Sequence, residues 1–273
     1  MLAIQARVPN SNLAAGFAAR WNGNDAAASH VFNALSWLFP EGERFFVAVA
    51  REVAAAVPAL PPAQHAELRA FVAQESVHAR QHQLYNDNLL QLGFSDVVAA
   101  RVAWLIATSN RMAPLSRLAI VCAYEHYTAA LGDFLLRHPQ VLSEAEPRLA
   151  LLWGWHAVEE TEHKAVCFDL YRHAGGGYWR RVLLFLLVTF NFSLMFSRQY
   201  WQMLREDGAL ARGQRWATAR RTLQLVWGRD GFGWSLLRHG LAYWRPGFHP
   251  WQCDNRVLAE QWLRQHDDAL HRV

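Results

Sequence analysis

Two segments of this chain carry ionisable side chains in the middle of otherwise apolar helical stripes. In the first, Leu68, Phe71, Glu75, His78, His82, Tyr85 and Leu89 recur at spacings of three and four residues. In the second, Leu149, Leu152, His156, Glu160, His163, Cys167 and Leu170 do the same. Each stripe contains Glu-x-x-His, as Glu75-Ser-Val-His78 and Glu160-Thr-Glu-His163, which stacks a carboxylate and an imidazole one turn apart on the buried face. Isolated ions are strongly disfavoured in such a place. A metal removes the penalty, because the same spacing chelates one ion and bridges to a second.

Turn and stop signals divide the rest of the chain. Phe39-Pro40-Glu41-Gly42 precedes a first helix that ends before Pro58, and Pro61-Pro62 opens a second that runs to Gly93. A shorter connecting helix is expected over 96–109 and a third long one over 115–137, between Pro114 and Pro139. A fourth runs from Pro147 to His173 and is stopped by Gly175-Gly176-Gly177. The first and third helices each offer one acid in an apolar setting, Glu43 and Glu125; Glu41 falls in the turn and Glu52 near the far end. The expected fold is all-α, a four-helix bundle supplying Glu, Glu-x-x-His, Glu, Glu-x-x-His in chain order, which is the ligand set of dinuclear carboxylate bundles. Four carboxylates balance two divalent cations, and oxygen and nitrogen donors without thiolate favour iron or manganese over a structural zinc site. The expected division is an N-terminal arm over 1–38 with a short helix near 30–37, the di-metal bundle over 39–177, and an apolar helix with a Trp- and Arg-rich helical extension over 178–273.

This order and spacing resemble the ferritin-like di-iron carboxylate superfamily. The fuller motifs Phe71-Val-Ala-Gln-Glu75-Ser-Val-His78, Glu125-His126-Tyr-Thr-Ala129, Trp155-His156-x-x-Glu159-Glu160-x-Glu162-His163-Lys164 and Tyr243-Trp-Arg-Pro-Gly-Phe-His-Pro250 resemble its bacterial branch described as predicted metal-dependent hydrolases, from about residue 30 to the end. The His-x-x-x-Glu-x-x-His pattern of His156, Glu160 and His163 is similar to that of the arylamine N-oxygenases. The resemblance implies that Glu75 and Glu160 bridge two iron ions, or manganese or a mixed pair, and carry the catalysis. Glu43 and Glu125 would be terminal ligands, and His156 a third imidazole beside His78 and His163. His82 has no counterpart in the pattern and is expected behind the ligands, as is Glu159, which is placed to hydrogen-bond a ligand imidazole. Glu162 reads as a solvated acid, and His126, about 100° around the helix from Glu125, as structural.

Composition excludes several classes. The 273 residues carry a formal charge of +4, with Lys164 the only lysine, a mild excess that gives no nucleic-acid signature. The cysteines Cys122, Cys167 and Cys253 form neither a CxxC pair nor an even framework, which suits a reducing, cytoplasmic setting. The apolar run over 182–196 is short for a membrane span and contains Thr189, Asn191 and Ser193, so a buried core helix is expected. Tyr85, Tyr124 and Tyr127 read as core. The tryptophans of the C-terminal region suit burial against the bundle or a peripheral membrane contact, and a homodimer is also admitted. The leading functional expectation is an oxygenase that uses dioxygen and an external electron donor on a hydrophobic or aromatic molecule. Its rival is a dinuclear hydrolase.

Overall fold

The computed structural model describes residues 4–273 and is predominantly helical, as the periodicity requires. The first three residues of the expected arm lie outside the described residues. The arm begins with β1 (Arg7–Pro9) and continues to α1 (Ala26–Ser36), whose first turn is capped by Asp25 accepting from the amide of Ala28 at 3.1 Å. Then follow α2 (Phe39–Ala56), α3 (Pro62–Gln91), α4 (Ala99–Ser109) and α5 (Pro114–Arg137). Proline opens α3 and α5 at the position where a missing N–H costs nothing. The second half holds α6 (Pro147–His163), α7 (Val166–His173), α8 (Tyr178–Glu206), α9 (Arg215–Trp227), α10 (Phe232–Tyr243), α11 (Arg256–His266) and β2 (Leu270–Arg272).

Antiparallel pairing of α2 with α3 and of α5 with α6 is the largest helix packing, and α2 closes onto α5. α6 is the innermost element: every residue from Leu152 to Phe168 is buried. Its neighbours come close enough that a Cβ on Gly132 of α5 would stand 2.9 Å from the carbonyl oxygen of Ala157. One on Gly154 would meet the Trp262 ring of α11 at 2.6 Å. Small residues at these crossings let backbones approach without a cavity.

Three expectations need correction. The fourth helix is not continuous to His173: it breaks after His163, where the buried Lys164 ammonium donates to the Cys253 carbonyl at 2.6 Å and to Asn255 Oδ1 at 2.7 Å. No glycine or proline marks that break. The chain also contains a small sheet, with Arg7 paired to Arg272 and Pro9 to Leu270, which ties the N-terminal arm to the C-terminal segment. Finally, the apolar run belongs to a 29-residue helix that is only half core. Val182, Phe185, Val188, Phe192 and Met195 of α8 are buried, while Leu183, Leu187, Phe190 and Leu194 are exposed. By length and composition alone α8 is apolar enough to cross a membrane; its buried face packs on α1 and α5.

Candidate metal centre

Glu43 lies near the start of α2, Glu75 and His78 in the middle of α3, Glu125 in the middle of α5, and His156, Glu160 and His163 in the last half of α6. All seven are buried. Their side chains meet: His163 Nε2 stands 3.3 Å from Glu75 Oε1, 3.3 Å from Glu125 Oε2 and 3.4 Å from Glu160 Oε2. His78 Nδ1 stands 3.3 Å from Glu75 Oε1 and 3.8 Å from Glu160 Oε1, and Glu43 joins it and Glu75 in one group. Donors held at roughly 2.0–2.2 Å from a shared cation lie about 3.0–3.5 Å from each other, so these spacings suit coordination. Glu75 and Glu160 each belong to donor groups on both sides.

The hydrogen-bond inventory makes the same point. Glu43 Oε2, both oxygens of Glu75 and of Glu125, His78 Nδ1 and His163 Nε2 are buried without a hydrogen-bond partner. Orphaned polar atoms are rare in folded chains, and here they converge. Two cations would satisfy all of them, so the residues fit a dinuclear metal centre.

The outward nitrogens of the imidazoles are held by protein. His78 Nε2 lies 3.1 Å from Glu159 Oε2, and His163 Nδ1 lies 2.9 Å from Gln74 Oε1. Each of these partners accepts, so each imidazole donates one N–H outward and its other nitrogen faces the carboxylates, where it can ligate a metal once deprotonated. Behind them stands Arg7. Its amide donates to Glu159 Oε1 at 2.9 Å, and its guanidinium donates to Glu162 at 2.8 and 3.0 Å; Glu162 also accepts from Gln74 Nε2 at 2.7 Å. One arginine from the arm therefore steadies both imidazoles. Glu162 is thus not the solvated acid expected from the sequence, because α6 has no solvent face and β1 covers that side.

A second relay fixes His156. The Ser36 hydroxyl donates to Asn86 Oδ1 at 2.7 Å and so accepts from His82 Nδ1 at 2.9 Å. His82 Nε2 then accepts from His156 Nδ1 at 2.7 Å, which leaves the His156 Nε2 lone pair facing Glu160 Oε1 at 3.0 Å. A proton or a metal ion shared between the two atoms satisfies that contact. Arg7 and Ser36 carry no sequence signal, and Gln74 and Thr128, whose hydroxyl touches Glu160, stand in the quoted motifs with no role assigned from sequence. Gln74 sits beside Glu75, but nothing in its spacing distinguishes it, and Arg7 lies in a segment without period.

With no cation present, burial pushes Glu43 well above the usual carboxylate range and Glu125 up to about 8, Glu75 adding to both. Burial also pushes Glu160 upward, yet His163 and His156 together hold it well below its ordinary value. Metal uptake displaces such protons.

A cavity of about 620 Å³ reaches Thr128, His156 and Glu160 past Phe32, Leu35, Phe39, Leu131 and Phe192. A smaller one of about 100 Å³ reaches Glu43 and Glu160 past Phe46, Ile120 and Tyr124. The centre is therefore approached through apolar walls on the α2 and α5 side.

The family model of the predicted metal-dependent hydrolases matches residues 5–254. The chain belongs to that family. No curated protein and no solved structure matches it. The description of the family agrees with a cluster of Glu and His side chains able to hold metal.

His126 stands apart from the centre of this family member, its Nε2 donating to the His239 carbonyl at 2.9 Å beneath Tyr243 and Phe248. Burial lowers its pKa to about 3. The unfolded chain, with an imidazole near 6.5, therefore binds this proton first, so stability is full above about pH 6.5 and falls as the pH drops toward 3. His126→Gln is expected to shallow the acid limb of a urea-midpoint-versus-pH curve between pH 6 and 4, and an unchanged slope would assign that limb to other groups.

Proposed function

We propose that this chain is a dinuclear metal enzyme of ferritin-like architecture that acts on an apolar or aromatic small molecule. The observation that carries the proposal is the convergence of orphaned Glu and His atoms into two donor groups that share Glu75 and are reached by apolar cavities at Glu43 and Glu160. In this reading Glu75 and Glu160 would serve both metals, with Glu125 and His163 holding one and Glu43, His78 and His156 the other. Iron suits the donors first, with manganese or a mixed pair as alternatives. When bound, the metal pair supplies either a water acidic enough to attack an ester, amide or phosphate bond, or the redox capacity to use dioxygen with electrons from an external donor.

The protein's own groups prepare the site for either reaction. Glu159 and Gln74 keep the His78 and His163 lone pairs inward, His82 does so for His156, and the Thr128 hydroxyl limits the swing of Glu160. Phe39, Leu35 and Phe192 exclude bulk water and select an apolar substrate. Hydrolysis is the reading that the family description favours. Oxidation is favoured by the donor set, four carboxylates and imidazoles with no thiolate among them. A cytoplasmic location, a homodimer and a peripheral membrane contact remain part of the proposal; the exposed apolar face of α8 bears on the last two.

One paired assay separates the reactions. Manganese- and zinc-loaded protein is assayed on a panel of apolar esters, amides and phosphates, and ferrous protein prepared without air is followed with an oxygen electrode in the presence of a reductant. Turnover without oxygen uptake supports hydrolysis, and substrate-dependent oxygen uptake supports oxidation. Protein that binds two metals and does neither would overturn the enzymatic reading.

A further inference from the structure

A second set of metal-ligating side chains lies outside the dinuclear centre. Asp133 follows Glu125 by eight residues on α5, about 12 Å along the helix at a rise of about 1.5 Å per residue. It meets His239 of α10 and Cys253 from the segment leading into α11, so that a carboxylate oxygen, an imidazole nitrogen and the thiol sulfur lie within 4.8 Å of one another. The measured edge, His239 Nε2 to Asp133 Oδ2, is 3.4 Å. Bonds of about 2.0–2.2 Å from nitrogen and oxygen to zinc at a tetrahedral angle predict an edge of roughly 3.4 Å.

Each member is positioned by other contacts. Arg137, one turn on, donates to both oxygens of Asp133 at 3.0 and 2.8 Å and sets the plane of the carboxylate. The backbone of His239 is pinned by His126. Cys253 is held through its carbonyl by Lys164, whose ammonium also binds Asn255, and Asn255 in turn donates to Thr161 of α6 at 3.2 Å. The break in the fourth helix therefore serves to anchor the loop that carries the cysteine. A cavity of about 530 Å³ opens on all three residues.

We propose that Asp133, His239 and Cys253 form a mononuclear zinc site, separate from the dinuclear centre, with its fourth position open to this cavity. Carboxylate and thiolate supply two anionic donors, the carboxylate shared with Arg137. A sulfur donor beside imidazole selects zinc, whereas the carboxylate-rich centre two turns back along α5 selects harder ions. Three protein ligands and one open position form the arrangement of a zinc that binds water or a small ligand, and a closed structural site would need a fourth side chain.

The test uses full-length protein stripped with a chelator and titrated with cobalt(II), which reports a thiolate bond by a charge-transfer band in the near ultraviolet. Wild type is expected to develop the band with the intensity of one cobalt–thiolate bond per chain, by three equivalents at most, and to lose it on addition of zinc. Glu160→Ala is expected to keep the band although the dinuclear centre is disabled, which distinguishes this site from the one proposed above. Cys253→Ser, at a half-buried position, is expected to abolish the band while circular dichroism and melting stay unchanged. Asp133→Asn is expected to weaken zinc binding by at least about tenfold. A wild-type protein without the band, or a band that survives in Cys253→Ser, would overturn the assignment, the latter by placing the bond at another thiol.

Discussion

Glu160→Ala is expected to leave the protein folded but unable to retain two metal ions, with activity lower by more than about 10²-fold. Loss of an outer partner of a metal ligand typically costs about 10–100-fold, and Glu160 is a more central group than that. It lies 3.0 Å from His156, 3.4 Å from His163 and 3.8 Å from His78, so its removal takes a negative charge from both donor groups at once. Elemental analysis reads the metal content, and thermal melting with and without metal reads the linkage. Wild type at about a thousandfold excess of metal over its dissociation constant gains about 4 kcal/mol. The variant is expected to gain little. In the metal-free state it is expected to be less stable than wild type, since the carboxylate that His163 and His156 hold ionised, and that Thr128 donates to, is gone. Two ions per chain and an undiminished melting shift in Glu160→Ala would remove the basis for a shared centre.

The second large effect is expected at Arg7, far from the centre in sequence. Its side chain is nearly buried, and Glu159 and Glu162 are wholly so, with side-chain exposures of 9% against 0% and 0%. Arg7→Ala leaves desolvated Glu162 with only amide partners and Glu159 with a backbone amide and the His78 imidazole, and breaking a buried pair in this way costs about 3–5 kcal/mol. The same change releases Glu159 behind His78 and Glu162 and Gln74 behind His163, so metal affinity is expected to fall by about 10–100-fold as well. Urea denaturation and a metal titration measure the two effects. Adding Glu162→Gln to Arg7→Ala is expected to recover part of the stability, because the uncompensated charge goes with it. A stability loss below about 1 kcal/mol would show that water, and not Arg7, solvates these acids.

Much of the fold was legible because its signals are local. Proline before α3 and α5 and glycines after α7 mark ends that the chain cannot avoid, and three- and four-residue spacing brings Glu75 with His78, and Glu160 with His163, onto single faces. These pairs meet in the structure, and Glu43 and Glu125 are buried beside them. The break at Lys164 was not legible, since it depends on Cys253 and Asn255, some ninety residues away, and on no local signal. The same holds for Glu162. A periodicity argument assumes that a helix has a solvent side, and α6 has none.

The sequence by itself determined which side chains would conflict with an apolar interior and at what helical phase, because phase follows from chain geometry alone. It determined in that way the predominantly helical class and the Glu and His side chains that cluster inside it. Only the tertiary structure decided which partners complete those positions: Arg7 and Gln74 for two imidazoles, Ser36 behind His82 for the third, and the meeting of Asp133, His239 and Cys253. Hydrogen bonds of this kind join atoms that share no period, and their partners are chosen by which helix packs on which.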